Sequence, residues 1–125
     1  MKIKLNEALN TFTVIKDIID NKKYDLSATC QFKLLGILKA IEPNVINFET
    51  IRNQKITEYG NRDDKGNTSI AQDDTDAISK FSKDISNLLS ESVNIDTNIK
   101  IKADEVIGKE IDSSILMLLY PFIEE

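Results

Sequence analysis

The chain opens with an alternating pattern that changes to helical spacing after a few residues. Ile3 lies between Lys2 and Lys4, which is the period of a short strand with one buried face. Apolar residues then recur every three or four positions, at Leu5, Leu9, Phe12, Ile15 and Ile19. Such spacing places them on one face of a helix. The pattern therefore predicts an N-terminal strand followed by a helix over about 6–21.

A second and longer helical pattern extends from Ser27 to Tyr59, and Gly60 is a natural stop. A straight helix of that length would span about 50 Å, whereas a compact chain of this size has a radius of gyration of about 14 Å. One straight rod would therefore not fit inside the domain. Pro43 cannot donate an amide hydrogen to the carbonyl of Lys39, so we expect a kink there. The hydrophobic phase continues across Pro43, which favours a kink over a break.

The third helical pattern follows a polar segment. Residues 60–73 contain two glycines and few apolar side chains, so we expect a mobile loop. A helix is predicted over 75–90, with capping side chains at its start. Its apolar stripe consists of Ile78, Phe81, Ile85, Leu88 and Leu89.

Beyond Glu91 the period changes from helical to alternating. Val93 and Ile95 are separated from Ile99 and Ile101 by turn-forming residues, so the sequence predicts a β-hairpin. An isolated hairpin is only marginally stable, and we expect the N-terminal strand to pair with it. A short helix is predicted within 113–123. The expected fold is α+β and mostly helical: three main amphipathic helices, a small antiparallel sheet formed by the N-terminal strand and the hairpin, and a short C-terminal helix.

Length and composition predict one domain over 1–125. The chain is 41% hydrophobic and 30% charged, and no apolar run approaches the roughly 20 residues that cross a bilayer. Lys4, Asn6 and Glu7 precede any apolar stretch, so we expect no export signal, no membrane association and a cytoplasmic location.

The net charge of −5 is concentrated in the second half of the chain. Positions 61–125 carry fourteen acidic and seven basic side chains, and Arg52 and Arg62 are the two arginines of the sequence. Without an arginine cluster to neutralise phosphates, we expect no nucleic-acid partner. Mimicry of nucleic acid by the acidic half is a weaker alternative, because basic residues interleave with the acids.

The sequence lacks the residue types of most catalytic sites. It contains no histidine, so triads with a histidine base and imidazole-based zinc sites are excluded. Neither common glycine-rich phosphate-binding motif is present. Cys30 has no basic partner at suitable spacing, and a buried thiol is the simpler interpretation, with a stabilised thiolate as the alternative. We therefore expect a non-enzymatic protein with no cofactor.

An acidic cluster gives the alternative function. Asp63, Asp64, Asp73, Asp74 and Asp76 could together hold a divalent cation or a small ligand. Acidic residues just before an amphipathic helix are more commonly caps and dipole partners, and the frame of a calcium loop fails at residue 72, where Gln72 replaces the required carboxylate. We therefore expect no metal site, with a metal-binding or ligand-binding protein as the second hypothesis.

The second helix is more apolar than one narrow stripe requires, so part of it could contact a partner protein or a second copy of the chain. A wide stripe that faces only the core is the competing interpretation. The candidate partner-binding residues are Leu34, Ile37, Leu38, Ile41, Val45, Phe48, Ile51 and Arg52.

Several segments resemble a known family. They are the opening MKIKL, the central FETIRNQKITEYGNRDDKGN and the ending LYPFIEE, with Phe48, Glu49, Arg52, Tyr59, Gly60 and Pro121-Phe122-Ile123-Glu124 as the matching positions. The chain resembles a family of small uncharacterised proteins of bacteriophages and prophages of Gram-positive bacteria. The resemblance implies a biological setting but no catalytic residues. We therefore expect a protein-binding module that acts as a virion morphogenesis accessory or as an inhibitor of a host protein. The resemblance also implies an alternative location, in association with the virion.

Overall fold

The computed structural model describes residues 1–62 and 65–124. Three helices dominate it: α1 (Leu5–Asn21), α2 (Ala28–Tyr59) and α3 (Thr75–Leu89). Two shorter helices, α4 (Ala103–Val106) and α5 (Ser113–Leu119), follow, and α5 continues into a 3-10 turn over Tyr120–Phe122. The α+β, mostly helical class is confirmed, as are the bounds predicted for the first and third helices to within one residue.

Local side-chain chemistry explains where the long helices begin and end. The Ser27 hydroxyl accepts a hydrogen bond from the amide of Cys30 at 3.1 Å, and the Asp74 carboxylate accepts one from the amide of Ala77 at 3.1 Å. Both bonds satisfy first-turn donors that have no partner within the helix. Gly60 ends α2 by donating its amide to the carbonyl of Ile56 at 2.7 Å.

Helix α2 is continuous through Pro43. Its 32 residues span about 48 Å at 1.5 Å per residue. As expected from this length, the core does not enclose the whole helix. The first half of α2 is buried in the core and the second half extends beyond the core. A kink at Pro43 stays a prediction, and a break there is excluded.

The strands form three separate pairs. Strand β1 (Lys2–Lys4) pairs antiparallel with β4 (Ser92–Asn94), with Ile3 opposite Val93. Within the polar segment, β2 (Asn61–Arg62) pairs antiparallel with β3 (Thr68–Ser69). Strand β5 (Ile101–Lys102) pairs parallel with β6 (Ile123–Glu124). The predicted mobility of 60–73 stays a prediction, although this loop contains the β2–β3 pair.

The predicted pairing of Val93 and Ile95 with Ile99 and Ile101 as one hairpin is wrong. Its first arm pairs with the N-terminal strand, as expected, but its second arm pairs with the C-terminal residues of the described chain. The segment between them is ordered by local hydrogen bonds: the amide of Thr97 donates to the carbonyl of Ile95 at 3.0 Å, and the amide of Ile99 donates to the Thr97 hydroxyl at 3.1 Å. Ile95 and Ile101 are both fully buried, so each arm inserts an isoleucine into the core beside a different neighbour.

The core lies between α1, the first half of α2 and the C-terminal segments. Its fully buried side chains are Ala8, Ile15, Cys30, Leu34, Ile37, Ile41, Ile95, Ile101, Leu119 and Phe122. Every buried side-chain nitrogen and oxygen of the described residues has a hydrogen-bond partner. On α2, the residues that pack on this core end at Val45, and α3 contributes none.

Candidate partner-binding face

The eight predicted partner-binding residues fall into two groups, and the division lies between Val45 and Phe48. Leu34, Ile37 and Ile41 are fully buried in the core, and Leu38 and Val45 pack against it. These five positions are therefore structural, and the core-facing interpretation holds for them. The other three lie beyond the core: Phe48 is half-buried, and Ile51 and Arg52 are exposed.

Beyond Val45, α2 packs beside α3. We call residues 46–59 together with α3 the α2–α3 arm. Helix α3 has no buried residue, although it is strongly amphipathic. The five apolar residues of its stripe are each only half-buried: Ile78, Phe81, Ile85, Leu88 and Leu89. Since an amphipathic helix gains most of its stability from burying such a stripe, the arm has apolar surface that neither helix covers.

Part of this surface forms a groove between the two helices. Ile51 and Lys55 line it from α2, and Asp84, Ile85, Asn87, Leu88 and Glu91 line it from α3 and the residues that follow. We call this the arm groove. Ile51 keeps 40% of its surface exposed. The arm groove therefore combines an apolar floor with charged groups at its edge.

A polar cluster holds the two helices together beside the groove. The Tyr59 hydroxyl donates to Oδ2 of Asp84 at 2.6 Å, and the ammonium of Lys55 lies 3.8 Å from the same oxygen. Lys55 also donates to Oε2 of Glu58 at 2.9 Å, and its Nζ lies 5.8 Å from the centroid of the Tyr59 ring. The sequence placed Tyr59 at the end of α2, but nothing in its spacing showed which residue of α3 it would meet.

The hydrogen bonds in this cluster favour a charged Lys55 and a neutral Tyr59. The hydrogen bond to Glu58 raises the pKa of Lys55, and the bond donated to Asp84 raises the pKa of Tyr59. At neutral pH the lysine is therefore charged and the tyrosine neutral. A general base or nucleophile needs a pKa shifted in the opposite direction, so this arrangement suits binding and helix contact better than proton transfer.

Cys30 lies far along α2 from the arm and is fully buried. Burial raises the pKa of the Cys30 thiol, and the nearby Glu105 carboxylate adds to the effect. Glu105 accepts hydrogen bonds from the ammonium of Lys33 at 2.5 Å and from the amide of Lys102 at 3.0 Å, which lower its own pKa. The thiol therefore stays protonated and shielded, as the buried interpretation predicted.

The acidic residues before α3 have roles in the helix itself. Asp74 caps α3, and Oδ2 of Asp76 lies 3.5 Å from the ammonium of Lys80 one turn later. Among residues 1–62 and 65–124, no three Asp, Glu, Cys or His side chains are grouped so that they could hold a metal ion. Asp63 and Asp64, which belong to the same hypothesis, lie outside the described residues.

Sequence reasoning missed the contribution of α3 to this face. The sequence predicts the apolar stripe of α3 but does not assign it to the partner-binding face, whereas Ile85 and Leu88 line the groove. The length of α2 could have indicated this contribution, because a helix too long for the core leaves a segment that a neighbouring helix must cover. A second exposed apolar patch on α5, around Met117 with 77% of its surface exposed, was also missed.

Of the helices in the described ranges, none combines the length and apolar character needed to cross a membrane. Comparisons of the chain with protein families, with curated proteins and with solved structures gave no match.

Proposed function

We propose that the protein is a non-enzymatic protein-binding module whose contact face is the arm groove. Of the residues predicted from sequence, the proposal keeps Ile51 in the groove and adds Ile85 and Leu88 of α3. Phe48 and Arg52 lie on the same half of α2 but do not line the groove. Its occupant is a protein, because apolar residues exposed between two helices suit another polypeptide element.

One observation supports this function above all: α3 is strongly amphipathic, yet none of its residues is buried. Exposed apolar residues scattered singly are ordinary on protein surfaces. A contiguous apolar strip with charged edges is typical of an interaction site instead. The groove satisfies that description, since Ile51, Ile85 and Leu88 line it together with Lys55, Asp84 and Glu91.

The resemblance to phage and prophage proteins supplies the setting for the proposal. In that setting the partner is a virion assembly protein or a protein of the bacterial host, and the module acts in the host cytoplasm. Neither role requires a cofactor or a nucleic-acid partner. The positions that carry the resemblance include Phe48, Arg52 and Tyr59, all of which lie on the α2 side of the arm.

A matched pair of substitutions on α2 tests the proposal. Ile51→Glu places a charge in the arm groove, whereas Ile46→Glu places the same charge at an exposed position five residues earlier, about 140° away around the helix. We expect Ile51→Glu to abolish association with the partner recovered from phage-infected cells and Ile46→Glu to leave it intact. Circular dichroism establishes that both variants are folded.

Equal recovery of the partner by both variants would contradict the proposal. Phe48→Ala provides a further distinction, because Phe48 is half-buried where the arm meets the core. Loss of folding in Phe48→Ala assigns that residue to the structure, whereas loss of association with intact folding assigns it to the interface.

A further inference from the structure

We infer that the arm groove takes an amphipathic helix with basic residues flanking its apolar stripe. This inference rests on the proposed function and names the chemistry of the partner. It is carried by the shape of the groove, the spacing of its apolar residues and the excess of carboxylates at its edge.

The shape favours a helix. Tyr59 of α2 contacts Asp84 of α3, while Ile51, two turns earlier on α2, lines the groove with Leu88, one turn later on α3. The two helices are therefore antiparallel, and Ile51, Ile85 and Leu88 form a short apolar seam between them where they line the groove. A third helix laid into that seam would complete a three-helix arrangement, with its own apolar residues at i, i+3, i+4 and i+7 against Ile51, Ile85 and Leu88.

The charge at the groove edge favours basic residues on that helix. Lys55 is the one cation among the groove-lining residues, and both Glu58 and Asp84 already engage it. Glu91 is exposed, and among the described residues its carboxylate has no cationic partner. The groove is thus lined by two carboxylates, Asp84 and Glu91, and by one ammonium that Glu58 also engages. Lysine or arginine on the incoming helix would complement this excess of negative charge.

The same charge argues against a second copy of the chain as occupant. A two-fold symmetric contact sets one patch against an identical patch. The carboxylates of Asp84 and Glu91 would then approach their counterparts in the other copy, without a surplus of cations on either side. Like-charge contact of this kind disfavours association.

Synthetic peptides provide the test. The probe is an 18-residue helical peptide with leucines at i, i+3, i+4 and i+7 and lysines on both sides of that stripe. A second peptide has glutamates in place of the lysines, and a third has the same lysines and leucines in scrambled order. Binding of each labelled peptide to the full chain is measured by fluorescence anisotropy at several salt concentrations.

We expect the leucine–lysine peptide to bind at least about tenfold more tightly than either control peptide, a difference of about 1.4 kcal/mol. Ile51→Asn should weaken that binding by about tenfold, while Ile46→Asn should not change it. These neutral substitutions keep the charge of the protein unchanged. Glu91→Gln should weaken binding by a smaller factor and reduce its dependence on salt.

Equal binding of the lysine and glutamate peptides would overturn the inference, as would equal binding of the scrambled peptide or indifference to Ile51→Asn. A concentration-dependent dimer that Ile51→Asn dissolves would replace the basic helix with a second copy. Failure of the peptides alone, with partner recovery still lost in Ile51→Glu, would refute only the basic helix. Loss of both effects would refute the proposed function as well.

Discussion

At the scale of single residues, the backbone atoms around Gly60 leave no room for a side chain at this position. A Cβ atom at this position would lie 2.5 Å from the carbonyl oxygen of Ile56 and 2.6 Å from that of Ser69. Both are backbone atoms, so neither can move aside without disturbing the end of α2 or strand β3. The sequence indicated a helix stop at Gly60, but the close approach of β3 became visible only in three dimensions.

Gly60→Ala should therefore destabilise the protein by about 1–3 kcal/mol, the usual cost of overpacking. The measurement is urea denaturation followed by circular dichroism. Gly36→Ala is the matched control, because its new methyl group would meet only the tip of the Ile99 side chain, which can rotate away. A Gly36→Ala variant less stable than Gly60→Ala would contradict this ranking.

Tyr59 gives a pH-dependent prediction. Its pKa is raised in the folded state by the hydrogen bond to Asp84, so the stabilisation is fully present below the unfolded pKa of about 10 and is lost as the pH rises through the folded value. Tyr59→Phe should thus be less stable than the wild type at pH 7, with the difference fading above about pH 10. Thermal melts of both proteins from pH 7 to pH 11 measure it. A difference that stays constant above pH 10 would show that the hydroxyl proton is not involved.

At the scale of elements, α2 belongs to two environments. Its first half carries Cys30, Leu34, Ile37 and Ile41, all fully buried, whereas its second half has no buried residue. The sequence predicted the extent of this helix because helical spacing and caps are local signals. The division of its residues between core and arm was not predictable. The spacing of apolar residues continues unchanged across Pro43, and it contains no information on which elements cover each turn of the helix.

Hydrogen exchange should resolve the two halves. Amides within 30–41 should exchange only on global unfolding, whereas those within 46–59 and in α3 should exchange through a lower-energy opening of the arm, because fewer apolar contacts resist it. Exchange followed by mass spectrometry on overlapping peptides measures this difference. Uniform protection along the whole of α2 would contradict it.

The failed hairpin shows a second limit at this scale. Alternating residues indicated strands at Ser92–Asn94 and Ile101–Lys102, and both exist. Strand pairing depends on partners distant in the sequence, namely Lys2–Lys4 and Ile123–Glu124. Local alternation identifies a strand but contains no information on which edge it joins.

At the scale of the whole molecule, the acidic balance of the second half allowed two interpretations, helix capping and cation binding. In the structure Asp74 and Asp76 serve α3, through a cap and an ion pair with Lys80. The class of the fold was predictable from periodicity, and so was the segment that contains Ile51. The groove itself was not predictable, because it depends on how far apart α2 and α3 lie in the folded chain.

Divalent cations should therefore leave the stability of the protein unchanged. Thermal melts with and without millimolar magnesium, calcium or manganese should agree to within about 2 °C, since a cation that binds only the folded state would raise the melting temperature. A larger, saturable increase that Asp74→Asn and Asp76→Asn suppress would support the metal-binding hypothesis instead.

The arm is joined to the rest of the protein at two places. Helix α2 enters it through Pro43, and α3 leaves it at Glu91, whose carbonyl accepts the amide of Leu5 at 2.8 Å just before β4 pairs with β1. The groove residues at the end of α3, Leu88 and Glu91, are therefore followed directly by backbone hydrogen bonds to the first residues of the chain, so the N-terminal strand helps to hold this wall of the groove in place.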